Sequence, residues 1–328
     1  MLRALLAATL LLVGSSFHPT DASAAEAAYR LPADTAFILN LDLQAVRKSE
    51  VGGRLLNLVV DKAIEKIAEK GNTDREAALK QVEEILGFNP LEEVKSITVS
   101  ANDYEEPENS LVAVVQLGKT TGNLEGLLLG LPAYAVADYE GQQIHSAAPE
   151  DGQTLYVAFV ADESGNRRIL FSAQRDAVTS LLDQAAGKSL AGDQAADFTV
   201  EQSDDRLLSL KVNKLPPDAV EEGPPANVAK ILKDASLGID EADGRVGLNV
   251  ALAAATEEQA EQLRQMAQGS IAMIQFAQTA NPEDQDLKKI AGMIKGAAAS
   301  RDGTTVKVSL QLPAADVAAI IDEKLKDK

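Results

Sequence analysis

Asp243-Gly244-Arg245-Val246-Gly247-Leu248-Asn249-Val250-Ala251-Leu252 is the stretch that decides the fold class. After the Asp-Gly pair, every second residue from Val246 to Leu252 is apolar. That period belongs to a strand that buries one face and wets the other. The pattern returns where Asp302-Gly303 precedes Val306, Val308, Leu310 and Leu312. Asp-Gly between alternating strands is a hairpin signal, which pairs these runs with strands over 236–240 and 298–301. Helical spacing is read over 228–232, from Glu257, over 287–294 and from Ala315. A half-apolar sheet needs helices on its apolar face. The expected class is therefore α+β, antiparallel sheets covered by helices on one face.

Working toward the N-terminus, the same helix-strand-strand-helix unit recurs. One copy has strands over 96–101 and 111–117 with a helix over 124–129. Another has strands over 143–147, 155–161 and 168–172 with a helix over 176–186. Before them come a strand over 36–43 and a helix over 53–70, whose apolar face is Leu56, Val59, Val60, Ala63, Ile64 and Ile67. Thr73 with Glu76 reads as a capping box for a helix that ends near Gly87. The stretch 188–206 is small and acidic and reads as a joint. The proline-rich 216–225 reads as a loop inside the second half. The expected organisation is a signal peptide over 1–24, an N-terminal α+β domain over 25–190 and a similar C-terminal one over 191–328.

The leader rests on Arg3, the apolar run from Ala4 to Val13 and the small-x-small site Ala22-Ser23-Ala24. It predicts export by the general secretory route, to the periplasm or the medium. No later run reaches the ~18 uninterrupted apolar residues of a membrane span. There is no cysteine, so stability rests on the core rather than on disulfides. The net charge is −19, which makes phosphate-rich nucleic acid and anionic lipid poor partners; it reads first as solubility, with a basic partner or weak calcium binding as the sharper reading.

Chemistry is sparse. Beyond the leader the single histidine is His145, which excludes clustered His/Cys zinc sites and thiol nucleophiles. His145 and Ser146 are strand neighbours pointing to opposite faces, so they form no dyad. His145 is expected to be a surface or hydrogen-bonded structural residue. Gly118-Lys119-Thr120 and Gly187-Lys188-Ser189 imitate the end of a phosphate loop. Ala113 and Leu182 stand where its first glycine belongs. Gly187 reads instead as the end of a helix. The acidic loop Asp103-Tyr104-Glu105-Glu106-Pro107-Glu108 lacks calcium-loop spacing, and Asp240, Glu241 and Asp243 before Gly244 read as a turn. A carboxylate-dependent hydrolase stays open as an alternative, although the sequence selects no acidic pair. Met266, Met273 and Met293 keep company with Ile271, Ile274, Leu287, Ile290 and Ile294. They are expected in the core, with a methionine-lined binding surface as the alternative.

The opening Leu31-Pro32-Ala33-Asp34-Thr35, followed by Leu41-Asp42-Leu43-Gln44-Ala45 and Ser49, resembles the start of a family of exported bacterial proteins of unknown function. The resemblance covers about 25 residues and implies an exported location, with no activity and no site residues. The expectation is a non-enzymatic binding or scaffold protein of the cell envelope, without metal or cofactor. Its partner would be another envelope protein or an apolar small molecule. A carrier holding an apolar or lipid ligand between sheet and helices is the second reading.

Overall fold

The computed structural model describes residues 27–326 apart from 33–34, 72–73, 105, 120–123, 149–152, 162–164, 189–194, 201–203 and 214–230. The leader, the boundary expected near residue 190 and the proline-rich loop lie outside the described residues. Contacts divide the chain into two units. One joins Ala25–Gln44 to Val60–Gln202; the other joins Ala45–Val59 to Ser203–Lys328.

The N-terminal unit holds β1 (Ala27–Pro32), β2 (Phe37–Asp42), β3 (Val94–Ala101), β4 (Val112–Leu117), β5 (Ala135–Tyr139), β6 (Gln142–Ala147), β7 (Leu155–Ala161), β8 (Arg167–Ser172) and β9 (Ala195–Val200). Helices α1 (Leu43–Lys48) and α2 (Glu50–Gly71) cross the divisions between the units. The helices α3 (Arg75–Leu86), α4 (Pro90–Glu93), α5 (Leu124–Leu128) and α6 (Arg175–Ala185) follow. The strands pair antiparallel in the order β2-β3-β4-β8-β7-β6-β5, and β1 pairs separately with β9. Val114, Ile144, Ala158 and Leu170 from four strands meet Val178, Leu181 and Leu182 of α6. Each fully buried aliphatic side chain of this kind contributes about 1.5–3 kcal/mol. α6 ends as expected at Gly187, whose φ is 76°. Its last carbonyls are closed by Gly187 N–H on Gln184 O and Lys188 N–H on Asp183 O, the paired bonds of a Schellman motif.

The C-terminal unit holds β10 (Arg206–Val212), β11 (Leu232–Ala242), β12 (Arg245–Ala254), α7 (Glu257–Ala280), α8 (Gln285–Met293), β13 (Ala298–Asp302), β14 (Thr305–Pro313) and α9 (Ala314–Lys326). Its strand order is β13-β14-β12-β11-β10, antiparallel throughout. The alternation read from the sequence sets the faces. Val246 pairs with Leu312 and Leu252 with Val306, so all the apolar positions share one side. Val51 of α2 and Ala314 and Ala318 of α9 cover Val246. Ala260 and Leu263 of α7 cover Val306 and Leu252. The opposite side carries Gly238, Asp240, Asn249 and Ser309. There Arg206 pairs with Asp240 and lies where a Cβ at position 238 would stand.

Glu241 projects to the helix side and caps α2. Its carboxylate accepts Ser49 Oγ–H at 2.5 Å, Glu50 N–H at 2.7 Å and Val51 N–H at 3.0 Å, while Ser49 Oγ accepts Gly52 N–H at 2.7 Å. A negative charge at a helix N-terminus also meets the favourable end of the helix dipole. Of the three acidic residues expected in a turn, only Asp243 lies in it; Asp240 and Glu241 belong to the end of β11. Asp243 (φ 50°) and Gly244 (φ 70°) form a two-residue hairpin loop with both residues left-handed.

Several expectations need correction. The cap of α3 is Asp74, which accepts Ala77 N–H at 2.8 Å, one residue beyond Thr73, which lies outside the described residues. The joint expected over 188–206 contains β9, and β10 starts at its end. Leu232, expected to close a helix, opens β11. The two Asp-Gly turns are not equivalent. Asp302 pairs with Thr305, so Gly303 takes the first loop position, whereas Gly244 takes the second. That offset explains why Val246 follows its glycine by two residues and Val306 by three.

Candidate functional site

Strand β5 was not expected, and it forms an edge. Among the described residues it is hydrogen-bonded to β6 alone. Ala135, Val136, Ala137 and Asp138 are all exposed. Glu140 (φ 54°) and Gly141 (φ 81°) make the two-residue loop to β6. Just before this strand, α5 and the turn after it expose Leu127, Leu129 and Leu131; Leu129 is 65% accessible and Val136, on the strand itself, 51%. Four large aliphatic side chains within ten residues are thus left to solvent, three leading into the edge strand and one on it. The signals that could have revealed it are the leucine-rich run 124–131 and the Glu-Gly loop between two short runs.

His145 lies behind this edge. It pairs with Val136 on one side and Val157 on the other, so it shares their sheet face, opposite α6. It is 5% accessible. Its Nδ1 is 2.9 Å from the Tyr134 hydroxyl, and the edge of the Phe159 ring packs against it at 5.5 Å. Arg167 lies over the Phe159 ring, 5.7 Å from its centroid, and pairs with Glu125 at 2.8 Å. Burial lowers the His145 pKa, and the charge of Glu125 opposes that shift in part. The expectation of a hydrogen-bonded structural histidine agrees with this geometry; the surface alternative does not. His145 anchors Tyr134, the residue that leads from the leucine turn into β5. Ser146 points away, toward Ala135 O.

The second exposed apolar surface belongs to the C-terminal unit. Thr256 caps α7 by accepting Gln259 N–H at 3.2 Å, and its first two turns bury Ala260 and Leu263. Beyond Leu263 the helix carries apolar residues on two sides. Ile271 and Ile274 are half-buried, while Met273 is 73% and Phe276 74% accessible, and Met266 is exposed as well. The core expected for Met266 and Met273 is therefore wrong: the sheet occupies one side of α7, and these residues sit on another. Met293 is half-buried and Ile290 exposed.

The remaining candidates have structural partners. A Cβ at Gly118 would stand 2.3 Å from Glu93 Oε2, so this glycine permits a close approach and Gly118 N–H donates to Glu93 O. Thr120 and Ser189 lie outside the described residues. Lys188 bridges Glu140 and Asp183, and Tyr139 OH donates to Asp183 at 3.0 Å. These bonds, Lys188 first, hold Asp183 below the usual carboxylate range. Arg264, then Gln265, brings Glu261 down to about 2. Both carboxylates move away from the raised pKa of a general acid. The acidic loop is tied down by Tyr104, which stacks on Phe37 and donates to Ala36 O at 3.1 Å; burial pushes its pKa up to about 12. Among the described residues no group of three His, Cys, Asp or Glu side chains is placed to hold a metal ion, and no helix is long and apolar enough to cross a membrane.

No protein-family model and no curated protein matches the chain. Among solved structures it is similar to crystal form IV of TP0453, at 10% identity and a TM-score of 0.42, covering 89% of this chain and 97% of that one. Crystal form III gives 9% identity and a TM-score of 0.38, covering 89% and 98%. Crystal form I gives 7% and 0.34, covering 88% and 93%. Likeness at this level transfers no site and no activity.

Proposed function

We propose that this chain is an exported, non-enzymatic binding protein of the bacterial envelope. It takes up an extended segment of a partner protein along β5. The observation that carries the reading is β5, the edge strand among the described residues, with exposed Val136 on it and exposed Leu127, Leu129 and Leu131 just before it. A strand added there gains main-chain hydrogen bonds, and the exposed aliphatic side chains offer apolar contacts to its own. Natural edge strands are normally blunted by length or charge. β5 has only Asp138 for this purpose, at its far end. The net charge of −19, with Asp138 at the end of the edge, favours a segment that combines apolar with basic residues. His145 is spoken for by Tyr134, which supports a supporting role for it rather than a catalytic one.

The test is native mass spectrometry of the mature chain purified gently from its own host's envelope, beside the Leu129→Lys/Val136→Lys variant. The expected result is one defined protein partner on the wild type, lost from the variant. A small-molecule adduct retained by both would replace this reading with the carrier. A bare wild-type chain would sink both.

A further inference from the structure

We infer that the bond between Tyr134 and His145 is a latch on the edge strand β5, closed at neutral pH and released by mild acidification. This rests on the reading of β5 as a docking edge and gives that edge a regulator. β5 is held at its two ends and little between them. Ala135, Val136, Ala137 and Asp138 are exposed, whereas Tyr134 and Tyr139, which flank them, are half-buried. The Tyr139 hydroxyl donates to Asp183 at 3.0 Å. The Tyr134 hydroxyl meets His145 Nδ1 at 2.9 Å. The backbone that enters β5 is strained. Ala133 has a φ of 52°, a left-handed conformation that a residue with a Cβ keeps only under constraint from its surroundings. Bonds on either side of it supply that constraint: Pro132 O accepts Ala148 N–H at 3.0 Å, and Tyr134 reaches His145.

The two ends answer acid differently. Lys188 first, then Tyr139, holds Asp183 below the usual carboxylate range, so the Tyr139 bond persists in mild acid. Neutral His145 accepts the tyrosine proton at Nδ1. Once protonated, Nδ1 becomes a donor, the hydroxyl loses its acceptor, and a charge stands at a side chain 5% accessible. The groups that face it do not take up that charge. β7 presents Val157 and the Phe159 ring, and β5 presents Val136, with Asp138 exposed two residues on. α5 brings Glu125 and β8 brings Arg167, and these two pair with each other at 2.8 Å. Burial outweighs the pull of Glu125, so the closed histidine binds its proton only below the ordinary pH. Turned into water with Tyr134, it binds near pH 6.5, about the usual value. The open edge is thus favoured as pH falls from about 6.5 toward the closed-state value, and the closed edge is kept above it. β5 then frays from Ala133 and stays attached at Tyr139 and the Glu140-Gly141 loop. A segment docked on β5 is shed with it.

The test is hydrogen–deuterium exchange of the untagged mature chain at about pH 7.5 and about pH 5.5, corrected for the intrinsic exchange rate at each. Exchange over 131–141 should rise at least about threefold at the lower pH, while β4 and β8 keep their protection. His145→Asn, whose amide oxygen can accept from Tyr134 in place of Nδ1 without titrating, should keep β5 protected at both values. Tyr134→Phe, at a half-buried position, should open β5 at neutral pH to the level of the acid wild type. Exchange over 131–141 that is indifferent to pH overturns the inference. So does a rise of equal size in His145→Asn, or a β5 that opens only together with β4 and β8. The exchange is read in the free chain, so its failure removes the latch and leaves the docking reading standing. A bare chain in the partner experiment removes the docking reading and leaves the latch.

Discussion

Replacing Glu241 by alanine takes away the acceptor for three donors at the start of α2: Ser49 Oγ and the amides of Glu50 and Val51. A hydrogen bond to a charged group contributes about 1.5–3 kcal/mol, and the helix-dipole term adds about 0.3–1 kcal/mol. The amides are partly open to solvent, and water replaces some of what is lost. The range observed for helix caps, about 0.5–2 kcal/mol, sets the scale, and three donors place Glu241→Ala at its top, near 2 kcal/mol. Glu241→Gln keeps one acceptor and loses the charge, at about 1 kcal/mol. With a urea m-value of about 2–3 kcal/mol/M, the alanine variant should lower the midpoint by roughly 0.7–1 M and the glutamine variant by half that. The assay is equilibrium unfolding followed by far-UV circular dichroism, with Ser49→Ala and the double variant completing a cycle. A coupling of about 0.5–1 kcal/mol is expected, because Ser49 and Glu241 serve the same helix end. Additive single variants, or a Glu241→Ala midpoint within error of the wild type, would refute the cap as a source of stability.

Thr98→Val should cost about 1–3 kcal/mol, because it leaves the buried Asn40 amide without the hydroxyl that accepts from it at 2.8 Å; urea unfolding measures it. Asp243→Asn should leave the stability equal or raise it by at most about 0.5 kcal/mol, read as an equal or slightly higher melting temperature, since asparagine is the preferred first residue of a loop with both residues left-handed. His145 gives a pH dependence of known sign. Unfolded, it binds its proton near pH 6.5, and folded, only at a lower pH. Between these values the unfolded state holds more protons, so the stability contribution is present above about pH 6.5 and is lost as pH falls toward the folded pKa. His145→Phe should flatten that part of the wild-type stability profile in thermal melts from pH 7.5 to 5; a profile unchanged by the substitution would remove the histidine as its source.

The elements that were legible in the sequence are those whose two faces meet different surroundings. β12 and β14 alternate because helices cover one side, while the other carries small or polar residues such as Asn249, Lys307, Ser309 and Gln311, so their period survives in the residues. β5 has no such contrast: four of its five residues are exposed on either face, and Ala-Val-Ala-Asp-Tyr carries no alternation to read. α7 fails in the opposite way. Ile271, Met273, Ile274 and Phe276 are all apolar, and hydrophobicity alone does not say which of them the sheet reaches. For His145 the sequence leaves a surface and a hydrogen-bonded place both open, and its strand neighbours argue only against a dyad with Ser146. Tyr134, its partner across a turn, had no signature of its own.

The C-terminal unit is discontinuous in sequence: Ala45–Val59 belongs with Ser203–Lys328. Its early segment therefore leaves the ribosome long before the residues it packs on, and Val51 waits for Glu241, 190 positions later. Closing so long a loop has an entropic cost that grows only slowly with length, yet the cap of α2 cannot form until Glu241 has been made. A nascent chain of this protein thus carries an unfinished unit through most of its synthesis. Cutting the gene at residue 202 therefore separates residues 203–328 from Val51, which packs on Val246 and Ala314.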